Sequence, residues 1–234
     1  MNHSKHFNKV IKISGYAIAI IFILWFAVLP IDSKVSSKAI WKGLYSRFAL
    51  IIVGISFFWV LYYNIFWKWK STFLRKFFFD QPDLSGTWMG YLKSDFLADG
   101  VPMVPIKIVF FIRQTNFFDI RITSQSSQNA FFSYGEVLQF DHSNNMIRLI
   151  YQYSQKKTIP DSKDDQQGAA DLFLYEDYLA GHYWTIVKTS GFIRVHKLSD
   201  KSYRSFEEAE RELGNSAILL KCYDLVRGID VIGA

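Results

Sequence analysis

The residues with the clearest capacity for chemistry are aromatic and basic, and the chemistry they point to is binding. Tyr151, Tyr153, Tyr183 and Trp88 offer ring faces for a planar group, and Thr185 offers a hydroxyl. Stacking of a base on such a ring is worth about 1–3 kcal/mol. Arg113, Arg121, Arg194 and Lys197 stand near the ends or outer faces of predicted strands, where each could reach a phosphate through charge-assisted hydrogen bonds. The competing reading of each tyrosine is a core ring with a satisfied hydroxyl, and of each cation a solvated surface charge. No phosphate-binding glycine loop, nucleophile elbow or zinc-protease helix is present, so no enzyme and no catalytic residue is expected. His182 and His196 fall on neighbouring predicted strands, but they lack obvious further ligands. Neither a metal site nor a cofactor is expected.

These residues need a scaffold, and it opens at Leu84-Ser85-Gly86-Thr87-Trp88-Met89-Gly90-Tyr91. Leu84, Gly86, Trp88 and Gly90 share one parity, so on a strand they face one side. Glycine inside a strand is costly unless the chain must curve or another backbone must come close. Gly86 and Gly90 therefore predict curvature, and Trp88 a ring that closes the floor of a barrel. Eight strands are predicted in all, over 84–93, 105–113, 116–123, 130–140, 146–153, 170–175, 180–187 and 192–198, with a long polar link from Ser154 to Gly168. Short links between them imply an antiparallel meander, and eight strands suffice to close a small barrel that holds one ligand in its mouth.

Alternation assigns the faces. Ile106, Ile108, Phe110 and Ile112 oppose Lys107 and Arg113, while Ile147, Leu149, Tyr151 and Tyr153 oppose Arg148 and Gln152. The fourth strand loses its alternation around Tyr134-Gly135-Glu136, which predicts a bulge. Beyond Lys201, Ser205 and Glu208 form a capping-box pattern for a helix ending at Leu213, before Gly214-Asn215. Ile218 to Val226 predicts a second helix, lying on the barrel or covering an open end.

Ahead of the barrel, 11–30 and 48–67 are apolar stretches of the length of a membrane span, about 20 residues each. Aromatic residues gather at their ends, and two transmembrane helices are expected, with both termini and the barrel in the cytoplasm. Buried core helices and a cleaved signal peptide are the rivals. Gly15 and Ala19, four residues apart, could let the first helix pack on a partner. The predicted organisation is a membrane hairpin over 1–79, a ligand-binding β-barrel over 80–200 and a helical extension over 201–234.

Charge divides along the same line. Residues 1–79 hold 11 lysines and arginines against Asp32 alone, net +10. The remaining 16 basic residues face 20 acids, net −4, so the overall +6 does not describe a basic nucleic-acid-binding face. The single cysteine, Cys222, excludes an intramolecular disulfide.

Two apolar segments followed by a barrel opening Leu84-Ser85-Gly86-Thr87-Trp88-Met89-Gly90 resemble the membrane-anchored β-barrel cyclic-dinucleotide receptors of bacterial CBASS anti-phage defence. The likeness covers about residues 10–200, and lipocalin-like barrels share the Gly-x-Trp opening. The resemblance implies a cyclic dinucleotide ligand supplied by a partner nucleotidyltransferase, with no DNA or RNA polymer. It also implies self-association of the helices into a homo-oligomer on activation. Disruption of the bacterial inner membrane bilayer and abortive infection would follow. The alternative is a membrane-tethered lipocalin-like barrel that binds a lipid or another apolar small molecule.

Overall fold

The computed structural model describes residues 12, 14–16, 18–19, 37–65, 82–98, 100–116, 119–141, 146–155 and 166–228. The chain divides into two compact units, Met1–Pro82 and Asp83–Ala234.

In the first unit, helix α1 spans Ser37–Asn64. It begins well before the predicted 48–67 span and so takes in Lys38, Lys42 and Arg47. Its apolar part runs only from Phe48 to Tyr63, 16 residues, short of the about 20 a spanning helix requires. Among the described residues no helix is long and apolar enough to cross a membrane. The predicted 11–30 span lies almost wholly outside the described residues. The expectation of two transmembrane helices is corrected accordingly, and with it the multi-pass inner-membrane placement with a cytoplasmic barrel. Apolar run length was read as a span, but the charged start of α1 and its end at Asn64 leave too little between them.

The second unit is the predicted eight-stranded antiparallel barrel. Its strands are β1 (Gly86–Ser94), β4 (Ile106–Gln114), β5 (Ile120–Gln125), β6 (Ala130–Asp141), β7 (Met146–Gln155), β8 (Gln167–Leu174), β9 (Tyr178–Thr185) and β10 (Ser190–Ser199). They close in the order β1-β10-β9-β8-β7-β6-β5-β4, with β4 pairing back onto β1. Between β1 and β4 lies a two-stranded ribbon that the sequence pattern did not announce, β2 (Leu97–Ala98) with β3 (Val101–Pro102). The third strand lies further along the chain than the predicted 116–123.

Closure divides the side chains into two apolar clusters. Inside the barrel lie Trp88, Ile108, Phe110, Ile112, Leu149, Leu172 and Val195, among others. Trp88 is 2% exposed, packs in the barrel interior and donates its indole N–H to the Leu84 carbonyl at 2.9 Å. Gly86 has φ +130, and a Cβ there would run into the Ser199 carbonyl. At Gly90 a Cβ would run into the Arg194 carbonyl, because β10 crosses so close to β1.

Outside the barrel, α2 (Phe206–Leu213) and α3 (Ala217–Arg227) cover β1, β4 and β10. The Ser205 hydroxyl accepts the Glu208 N–H at 3.2 Å, and the Glu208 carboxylate accepts the Arg204 N–H at 2.9 Å, a reciprocal capping of the first turn. Of the two positions open to the second helix, the structure selects the outer wall: Leu219, Cys222 and Val226 are buried against Met89, Tyr91, Val109 and Phe111.

Candidate functional site

One row of cross-strand partners crosses five strands inside the barrel: Gly191, Tyr183, Ala170, Tyr151 and Glu136. The next row toward the open end is Thr185, Gly168, Tyr153 and Ser133. Small residues alternate with rings, which is how a narrow barrel seats bulky side chains. A Cβ on Gly168 would lie 2.5 Å from the Tyr153 hydroxyl oxygen, and one on Gly191 2.6 Å from the Tyr183 ring. Both glycines are seats for tyrosines, a role that only cross-strand register reveals.

The rings touch one another. Tyr151 meets Phe110 edge-on at 6.1 Å, Tyr153 meets Phe131 edge-on at 5.5 Å, and Tyr151 and Tyr153 are 5.9 Å apart. Burial pushes the Tyr151 and Tyr153 hydroxyls far above the ordinary tyrosine range. Burial also raises Tyr183, offset in part by a hydrogen bond with Ser94. All three therefore keep their protons over the physiological range and remain hydrogen-bond donors. The hydrogen bonds among the described residues do not engage the Tyr151 or Tyr153 hydroxyl. The Thr185 hydroxyl lies 2.7 Å from that of Thr189, across the β9–β10 turn.

Four of the eight predicted ligand-binding residues, Tyr151, Tyr153, Tyr183 and Thr185, thus come together on the inner face. The four cations do not join them. Arg113 is exposed on the outer wall, where it is the cross-strand partner of Arg121. Arg121 pairs with Asp119 at 3.4 Å and approaches Glu136 at 4.0 Å. Arg194 lies over the Tyr178 ring at 3.8 Å and donates to His196 Nε2 at 3.4 Å. Lys197 has inward register beside Trp88, and its ammonium pairs with Asp200 at 2.8 Å. His182 faces Phe192 and His196 faces Tyr178, so the two histidines do not meet. Among the described residues no group of metal-ligating side chains occurs.

The chain is similar to CD-NTase-associated protein 15 of Staphylococcus schleiferi. Identity is 28% over 192 residues, covering 82% of this chain and 97% of the relative. That span includes most of the barrel strands and hence rows of the inner face. No family model matches the chain.

One inward residue escaped the sequence reading. β6 carries the predicted bulge, located between Ser133 and Gly135 by the register shift against β7. The extra residue inverts parity: Val137 and Tyr134 point outward, and Glu136 becomes the cross-strand partner of Tyr151. The Glu136 side chain is only 9% exposed. The Ser133 hydroxyl donates to Glu136 Oε1 and accepts the Ile122 N–H at 2.8 Å. β5 and β6 pair only from Thr123↔Phe132 to Gln125↔Ala130, so this side-chain bridge replaces ladder bonds where the strands separate. The broken alternation at Tyr134-Gly135-Glu136 was the available signal, but it did not say which side chain would turn inward.

Proposed function

We propose that the barrel is a receptor for a cyclic dinucleotide, and that its occupancy drives self-association of the protein as an effector of CBASS anti-phage defence. Similarity to CD-NTase-associated protein 15 supports a CBASS-associated effector, and that relative's name ties it to a CD-NTase. A CD-NTase is accordingly the proposed source of the ligand. The observation that carries ligand binding is the band of Tyr151, Tyr153, Tyr183 and Thr185 on one inner face. The Tyr151 and Tyr153 hydroxyls make no hydrogen bond among the described residues, and tyrosine rings suit stacking against a base. Nothing in the arrangement calls for catalysis by the chain itself.

The test is a thermal melt of the purified full-length chain with a panel of cyclic dinucleotides. A ligand at a hundredfold excess over its dissociation constant stabilises by about 2.7 kcal/mol. For a chain of this size that corresponds to a rise of roughly 5–10 °C. No shift with any member of the panel overturns the receptor reading. Sedimentation with and without the bound ligand tests self-association, which predicts a larger species only in its presence.

A second reading, an apolar ligand, draws on the rim of the same barrel. Phe96, Leu97, Val101, Val104 and Ile106 after β1, with Ile186 and Val187 after β9, are large apolar residues left exposed at the mouth. Solvent extraction of the purified protein followed by mass spectrometry separates the readings: a co-purifying lipid favours the second, a nucleotide the first.

A further inference from the structure

The one acidic side chain in the polar rows has no packing reason to be there. Glu136 sits among Tyr151, Ser133 and the apolar lumen, and a carboxylate taken from water needs donors. Its Oε1 is engaged by the Ser133 hydroxyl and lies 4.0 Å from the Arg121 guanidinium. Among the described residues Oε2 has no partner. The chain also meets a local cost to place it there, because the bulge breaks the β6 ladder and loosens pairing to β5. Bulges recur next to functional sites, where they re-aim a side chain. Here the re-aimed side chain is Glu136: with unbroken alternation from Ser133 it would point to the outer wall.

What a buried carboxylate beside stacking rings would recognise follows from the donor pattern of the bases. A carboxylate offers acceptors only. Guanine presents two adjacent donors on its Watson–Crick edge, N1–H and the N2 amino group, which match two carboxylate oxygens side by side. Adenine and cytosine each set one amino donor beside an acceptor nitrogen, which a carboxylate repels. Uracil sets a single N–H between two carbonyls, which repel it as well.

Resting on the receptor reading above, we propose that Glu136 reads the Watson–Crick edge of a guanine stacked against Tyr151, and that the natural ligand is a guanine-containing cyclic dinucleotide. The Ser133 hydroxyl holds one oxygen of the carboxylate in place. It acts as a positioning residue that yields or shares that oxygen when the base arrives.

The experiment is calorimetric titration of the full-length chain at one fixed salt concentration. The ligands are cyclic di-GMP, cyclic GMP–AMP, cyclic di-AMP, cyclic UMP–AMP and cyclic di-IMP, whose hypoxanthine lacks only the N2 amino group. A bidentate base contact discriminates by about ten- to a hundredfold. The guanine ligands are therefore expected to bind at least about tenfold more tightly than cyclic di-AMP and cyclic UMP–AMP, with cyclic di-IMP weaker than cyclic di-GMP. Glu136→Gln should erase that advantage, because it weakens cyclic di-GMP and lifts the repulsion that the carboxylate exerts on adenine, so that cyclic di-AMP binds at least as well as before. Equal affinity for cyclic di-GMP and cyclic di-AMP overturns the assignment, as does a guanine advantage that survives Glu136→Gln. If the variant fails to fold, the comparison of cyclic di-GMP with cyclic di-IMP on the unaltered chain still decides. Binding of cyclic dinucleotides without a guanine preference overturns this inference alone, whereas no binding at all overturns the receptor reading and this one with it.

Discussion

The two apolar clusters of the second unit are built from opposite faces of the same strands, yet they treat polar groups differently. On the outer wall, polar groups mostly end on protein partners. Lys107 pairs with Glu210 at 2.7 Å, Lys93 donates to the Arg227 carbonyl at 2.9 Å, and the Gln125 amide oxygen accepts the Phe206 N–H at 2.9 Å. The Cys222 thiol donates to the Arg194 carbonyl at 3.4 Å, and burial pushes its pKa up to about 11. The second oxygen of Glu210 and the Nδ1 of His196 are the exceptions. Inside the barrel, the Tyr151 and Tyr153 hydroxyls make no hydrogen bond among the described residues, while the rings around Trp88 beneath them are packed. The outer cluster is organised for docking two helices. The inner one is packed around Trp88, and its band of tyrosines is the surface proposed above for recognition.

If that division is right, substitutions should sort by place more than by residue type. The largest effect is expected at Trp88. Trp88→Ala removes a ring and its hydrogen bond from a closed space, and urea unfolding should report a loss of about 3–5 kcal/mol. A variant that stays fully stable and loses only ligand would move Trp88 from packing to recognition. On the outer wall, Leu219→Ala should cost about 2–5 kcal/mol, because Leu219 is buried under the helices. Ligand affinity of the folded fraction should be unchanged, and a large loss of affinity would mean that the two clusters communicate.

Smaller effects test the band of tyrosines. Tyr151→Phe deletes a hydroxyl that no described residue engages, so stability should change by less than about 1 kcal/mol. A net hydrogen bond of about 0.5–1.5 kcal/mol lost to ligand would weaken binding roughly two- to twelvefold. A stability loss well above that limit would show the hydroxyl to be structural. The smallest effect is expected at His196, on the outer wall, whose pKa is lowered chiefly by burial, with Arg194 acting the same way and Asp177 opposing. Its folded value lies below the unfolded value of about 6.5. Below that pH the unfolded chain binds the proton more readily, so this contribution is present above about pH 6.5 and fades as pH falls through the folded value. Unfolding between pH 7.5 and 5 should therefore depend less on pH in His196→Phe than in the unaltered chain.

How much of this was legible beforehand follows from which interactions are local. Period-two alternation is a property of neighbouring residues, so β4 and β7 displayed their inward faces directly in Ile108, Phe110, Ile112 and in Leu149, Tyr151, Tyr153. The capping residues Ser205 and Glu208 lie within one turn, and the helix they begin ends where Gly214 stops it. The apolar run over 48–67 misled because hydropathy does not say where a helix starts and stops.

By itself, then, the sequence determined the barrel's strand count, the faces of its regular strands and the capped helix after it, because short-range periodicity encodes each of these. Only the tertiary structure decided that Tyr151, Tyr153, Tyr183 and Thr185 share one inner band while Arg113, Arg121, Arg194 and Lys197 do not. It also decided that β10 crosses too close to Gly86 and Gly90 to admit a Cβ, and that Gly168 and Gly191 seat rings from neighbouring strands. The physical reason is register: a bulge of one residue in β6 reverses which side chains face inward. Whether that turns Glu136 or Val137 toward Tyr151 is settled by pairing with β7, not by any residue near it in the chain.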